Sequence, residues 1–115
     1  MEPKEFDIEF PRGDTCPVKF SLLDKEGNIL TLSNSDELIF TVKKDYTTTI
    51  KKLQKKFSSG EITQEDDGSY KLIINPSDTQ NWDYGRSVFD ICLISGDYTR
   101  TVAIGNLTLT NEVTF

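Results

Sequence analysis

The sequence predicts an all-β fold: an immunoglobulin-like antiparallel β-sandwich of about seven or eight short strands, forming one domain over residues 1–115. Three observations predict it. Apolar residues recur at period two in short runs, the spacing of strands with one buried face. Turn signals such as Glu26-Gly27-Asn28, Asp67-Gly68-Ser69 and Gly96-Asp97 separate those runs. No strand pattern alternates with a long helical one, which argues against a parallel α/β sheet.

Phe6, Ile8 and Phe10 alternate within Glu5–Phe10, and Val18, Phe20 and Leu22 repeat the pattern. Asp24-Lys25-Glu26-Gly27-Asn28 reads as a hairpin turn leading to a short return strand, Ile29–Leu32. Leu38, Phe40 and Val42 mark Glu37–Lys43; Glu61–Gln64 precedes the turn Asp66-Asp67-Gly68-Ser69; Tyr70, Leu72 and Ile74 follow. Phe89, Ile91 and Leu93 define Ser87–Ser95. Val102 and Ile104, then Leu107 and Leu109, form the last strands, with Gly105 at a break that suggests a bulge. Phe20, Phe40, Ile91 and Leu93 are the expected core. Two segments depart from alternation. Ile50, Leu53 and Phe57 suit a helix face, yet Thr47-Thr48-Thr49 starts a helix poorly, leaving a short helix or an irregular edge strand. Pro76-Ser77-Asp78-Thr79 suits a single helical turn ending near Trp82.

Nineteen acidic residues against thirteen basic ones give a net charge of −6, which argues against nucleic-acid binding. There is no run of eighteen apolar residues and no hydrophobic leader in Met1–Glu5, so no membrane association and cytoplasmic synthesis are expected. Cys16 and Cys92 are expected as two reduced thiols. The absence of histidine removes the commonest general base and metal ligand. No cysteine pattern for zinc and no glycine-rich phosphate loop is present, so neither an enzyme nor a cofactor or metal is expected.

Several motifs have a plain reading beside a sharp one. Glu65-Asp66-Asp67 lacks calcium-loop spacing and reads as a solvated hairpin tip. Arg12-Gly13-Asp14 matches an integrin tripeptide but reads as a turn, and Asn106-Leu107-Thr108 is a glycosylation acceptor only in a secreted chain. The lysines of Lys51–Lys56 suit a phosphate patch; the plainer expectation is a solvated face or a guarded strand edge. Of the aromatics Trp82, Tyr84, Phe89 and Tyr98, Trp82 and Phe89 read as core, while Tyr84 and Tyr98 fall in turns and are the candidate partner contacts. Glu5–Phe10 and Lys44–Lys56 are the candidate edges for docking.

Phe10-Pro11-Arg12-Gly13-Asp14-Thr15, then Glu37–Lys44, then Pro76-Ser77-Asp78-Thr79 with Trp82, Gly85 and Phe89-Asp90-Ile91, and finally Gly105–Thr114, resemble the amino-terminal domain of the phage upper baseplate protein family. The family's proteins continue beyond this domain, whereas this sequence ends at Phe115. The resemblance implies an immunoglobulin-like structural protein of a bacteriophage or prophage particle, tail or baseplate associated. Such a module is assembled in the bacterial host cytoplasm into a virion, with other virion proteins or further copies of itself as partners. It implies no catalytic residues. The alternative function is a recognition module for host-surface glycans.

Overall fold

Alternating side chains need a second layer to cover them, and this chain supplies it by crossing repeatedly between two sheets. The computed structural model describes residues 4–23, 26–83 and 85–110. Among them are β1 (Lys4–Glu5), β2 (Ile8–Pro11), β3 (Cys16–Phe20), β4 (Asp36–Lys43), β5 (Lys51–Lys56), β6 (Ile62–Gln64), β7 (Tyr70–Ile74), α1 (Pro76–Thr79), β8 (Gly85–Ser95) and β9 (Tyr98–Thr110). The large sheet runs β1-β9-β8-β4-β5, with β2 also on β9; the small sheet runs β3-β7-β6. The chain alternates between them, giving the Greek-key connectivity of an immunoglobulin-like sandwich.

The inner faces form one core. Leu38, Phe40 and Val42 of β4 lie opposite Leu93, Ile91 and Phe89 of β8. Val18 and Phe20 of β3 lie opposite Leu72 and Tyr70 of β7. All ten join a single buried cluster, in which the Phe20 and Tyr70 rings stack at 6.0 Å and Phe40 meets Phe89 at 5.5 Å. The four expected core residues, Phe20, Phe40, Ile91 and Leu93, are all buried.

The N-terminal strand differs from expectation in two ways. It is split into β1 and β2, and both pieces pair with β9 in parallel rather than antiparallel fashion. Between them Phe6 turns onto Phe89 (5.1 Å), and the Asp7 carboxylate accepts the Asn106 N–H (3.1 Å). Gly105 is not a break: β9 is continuous, and its bulge lies at Val102, where Ile91 pairs with Ala103 and Cys92 with Thr101. Gly105 instead gives clearance. A Cβ there would stand 1.7 Å from the Phe6 carbonyl oxygen.

Ile29–Leu32 is not a strand but a single bridge, Leu23 to Ile29. The Tyr70 hydroxyl replaces the ladder, donating to the Leu30 carbonyl (2.8 Å) and accepting from the Leu32 N–H (3.1 Å). Of the preceding turn, Asp24 and Lys25 lie outside the described residues. Residues 51–56 form an edge strand, not a helix. Leu53 and Phe57 are four apart, a spacing that fits both periods, and Ile50, which only a helix would bury with them, is 76% exposed. At the β8–β9 hairpin Gly96 has φ +61 and, among the described residues, no non-glycine residue has positive φ, the pattern of a type II′ turn.

Truncating Phe40 or Ile91 to Ala should cost about 2–5 kcal/mol in urea unfolding. Gly105→Ala should cost about 1–3 kcal/mol by displacing the Phe6 segment. An effect of Gly105→Ala near zero would show that β1 and β2 do not hold this path.

Candidate functional site

One end of the sandwich is closed by α1 and the residues after it. Asp78 accepts the Asn75 N–H (2.8 Å), fixing the helical turn. The fully buried Thr79 accepts the Gly13 N–H (3.2 Å), and Arg12 Nη1 donates to the Trp82 carbonyl (3.0 Å). The Arg12-Gly13-Asp14 turn is therefore docked on this segment, with Gly13 at φ +87.

Two of the four lysines of β5 correct the sequence expectation, while Lys51 is exposed as expected. Lys55 shares the inner face with Leu53, lies opposite Phe40 and is buried. Its ammonium meets the Asp78 carboxylate at 2.9 Å. Lys52 lies over the Trp82 ring (5.0 Å to the centroid) and donates to Ser87 Oγ (2.8 Å); burial pulls its ammonium pKa down. These two lysines are therefore packed into the body, neither solvating a face nor guarding an edge.

The turn after β6 satisfies its own charges. Asp67 accepts from the Ser69 hydroxyl (2.6 Å) and N–H (3.0 Å) and pairs with Lys19 (2.9 Å); Glu65 pairs with Lys71 (3.0 Å). The Ser69 hydroxyl and then the Lys19 contact hold the Asp67 carboxyl well below the usual range. The cysteines sit on strands β3 and β8, where antibody domains carry their inter-sheet disulfide. Here Cys16 packs against the core, while Cys92 lies between Ile91 and Leu93 and so faces away from it. The two thiols are on opposite sides of the large sheet.

The outer face of the large sheet carries the strongest candidate for function. Ile39 and Thr41 on β4, Cys92 and Ile94 on β8, and Thr101 and Ile104 on β9 form a half-buried, uncharged surface. Asp90 sits within it, between Thr41 and Ile104. Its carboxylate makes no hydrogen bond among the described residues, and burial raises its pKa while Lys43 opposes the shift. Thr41, Lys43, Tyr46, Val88 and Asp90 line a hollow of about 90 Å³. Tyr46, at its rim, is 61% exposed. A larger hollow of about 180 Å³, lined by Leu22, Leu23, Val102, Lys4 and Arg100, opens on the seam between the sheets instead.

The two candidate edges lie where expected, β5 at one side of the large sheet and β1 with β2 at the other. Tyr98 is 49% exposed on the β8–β9 hairpin, at the opposite end of β8 from the Tyr46 hollow. Tyr84 lies outside the described residues. Sequence reading favoured aromatic residues in turns and passed over Asp90, whose signal was a lone acid at an outward position of an apolar strand.

No protein-family model matches the chain, and no curated protein matches it in sequence. Among solved structures it is similar to the extracellular fragment, with stalk region, of novel immune-type receptor 11 from Ictalurus punctatus: TM-score 0.45, 13% identity, covering 100% of this chain and 90% of the fragment. It is also similar to part of a family 123 glycoside hydrolase from Clostridium perfringens: TM-score 0.43, 12% identity, covering 98% of this chain and 24% of the enzyme. Neither likeness bears on activity.

Asp78→Asn leaves the Lys55 ammonium buried and unpaired and should cost about 3 kcal/mol, while Lys55→Met with Asp78→Asn should recover most of it. Strictly additive costs in urea unfolding would show that the pair is not coupled. Asp67 has a depressed folded pKa, so its contribution is complete above its unfolded value of about 3.9 and fades as pH falls toward the folded one. Asp67→Asn should therefore flatten the loss of stability between about pH 5 and pH 3. An unchanged pH slope would count against this.

Proposed function

We propose that the chain is a non-catalytic structural and assembly module of a bacteriophage or prophage particle, tail or baseplate associated, acting in the virion through contacts with other virion proteins. One observation carries the assembly reading: the half-buried strip of Ile39, Thr41, Cys92, Ile94, Thr101 and Ile104 on the outer face of the large sheet, lying between two sheet edges. Such a surface favours a protein partner, because burying it removes apolar area from water with few charges to desolvate. The edges add unpaired backbone groups alongside it. The particle setting rests on the sequence resemblance at Phe10–Thr15 and Pro76–Ile91.

Co-expression with the products of neighbouring tail genes, followed by light scattering on the separated complexes, tests this. Ile94→Glu places a charge on the face and should weaken complex formation at least about tenfold while leaving the unfolding midpoint nearly unchanged. A chain that ignores those proteins but binds a soluble glycan saturably would replace the assembly reading with the recognition module.

A further inference from the structure

We infer that the outer face of the large sheet is a self-complementary surface whose occupant is a second copy of this chain, the two related by a two-fold axis between Asp90 and Lys43. The inference rests on the assembly reading, and adds the identity of the partner.

A two-fold interface requires that each residue on one copy find its complement on the other, and the reverse. Asp90 and Lys43 meet that requirement. Thr41 pairs with Asp90 and Lys43 with Val88, so the two charges are diagonal neighbours on adjacent strands. Both line the same hollow. An axis lying in the interface, midway between them, brings each carboxylate to the other copy's ammonium. Two reciprocal ion pairs result, adding to the attraction that Lys43 already exerts on Asp90 within one copy. The same operation carries Tyr46, beside Lys43, over the second copy's surface beyond Asp90. An exposed ring next to a hollow then becomes a contact on each side of the axis.

The size of the face sets the strength. Four strands about 4.8 Å apart and about eight residues long offer a footprint of roughly 500 Å² per copy. The roughly 1,000 Å² total is at the lower bound of specific interfaces, so association is reversible and depends on concentration. Ile39, Cys92, Ile94, Thr101 and Ile104 around the pair are uncharged and lose little on contact with their own kind, while Glu37, Lys56 and Arg86, also at outward positions, lie toward the margins of the face.

Analytical ultracentrifugation of the full chain tests this, from about 1 to about 300 μM, a range suited to dimers in the micromolar regime. The wild type should pass from monomer toward dimer across it. Asp90→Lys and Lys43→Asp should each raise the dissociation constant at least tenfold, since each sets like charges opposite one another. Mixing the two variants should restore association as a heterodimer, because the lysine pair of one then meets the aspartate pair of the other. A folding defect cannot be rescued in this way. Tyr46→Ala, at an exposed position, should also weaken the dimer without touching the core. A wild type that stays monomeric throughout, or variants whose mixture does not associate, would overturn the inference. If the monomer still binds tail proteins and loses them on Ile94→Glu, the assembly reading survives this failure. If Ile94→Glu changes neither, both are lost.

Discussion

The register of β4 against β8 is the constraint on which the rest of this molecule depends. Eight consecutive pairs, from Asp36 with Ser95 to Lys43 with Val88, set Leu38, Phe40 and Val42 beside Leu93, Ile91 and Phe89. A slip of one residue would turn every one of these side chains to the other face and bring Asp90 and Cys92 into the core. Once this register is fixed, the outer face is fixed too. Burying Phe89, Ile91 and Leu93 necessarily presents Asp90, Cys92 and Ile94 on the opposite side. The separation of Cys92 from Cys16 follows from the same parity. On β9 the extra residue at Val102 switches that parity, so that Arg100, opposite Leu93, and Ala103, opposite Ile91, both face inward.

The second determinant is ionic. Lys55 occupies an inward position opposite Phe40, where an aliphatic residue would ordinarily sit. Burying an ammonium there is unfavourable unless it is paired, and Asp78 supplies the pair from α1. This ties an edge strand of one sheet to the segment that closes the sandwich end. The same short segment holds the Arg12–Gly13 turn through Thr79 and Trp82. Five residues from Asp78 to Trp82 thus link β5 and the Arg12–Gly13 turn, two parts of the chain that are remote in sequence.

Alternation made most strands legible: Val18, Phe20, Leu38, Phe40, Phe89 and Ile91 needed only a period of two. It failed where two periods coincide, at Leu53 and Phe57, and where hydropathy misleads, at Lys55, whose partner is on another element. The parallel pairing of β2 with β9 could not be read locally, since Asp7 and Asn106, which meet there, are 99 residues apart. The break and bulge that the spacing suggests at Gly105 are absent; glycine is required there by the passing Phe6 backbone, which lies far from it in sequence. Outward orientation of Asp90 followed from the strand pattern. Its lack of a hydrogen-bond partner among the described residues did not, because that depends on what the neighbouring strands β4 and β9 place beside it.

The parallel contact of β2 with β9 also has a mechanical side. Pro11 is level with Thr110, and Lys4 with Ala103, so the first strand enters at one pole of the domain and the last leaves at the other. Tension applied along the chain through these two ends would pull the neighbouring strands past one another. The backbone bonds between them, which run across the strands, would then be loaded together rather than opened one after another. That arrangement would spread a pulling force over the whole terminal seam.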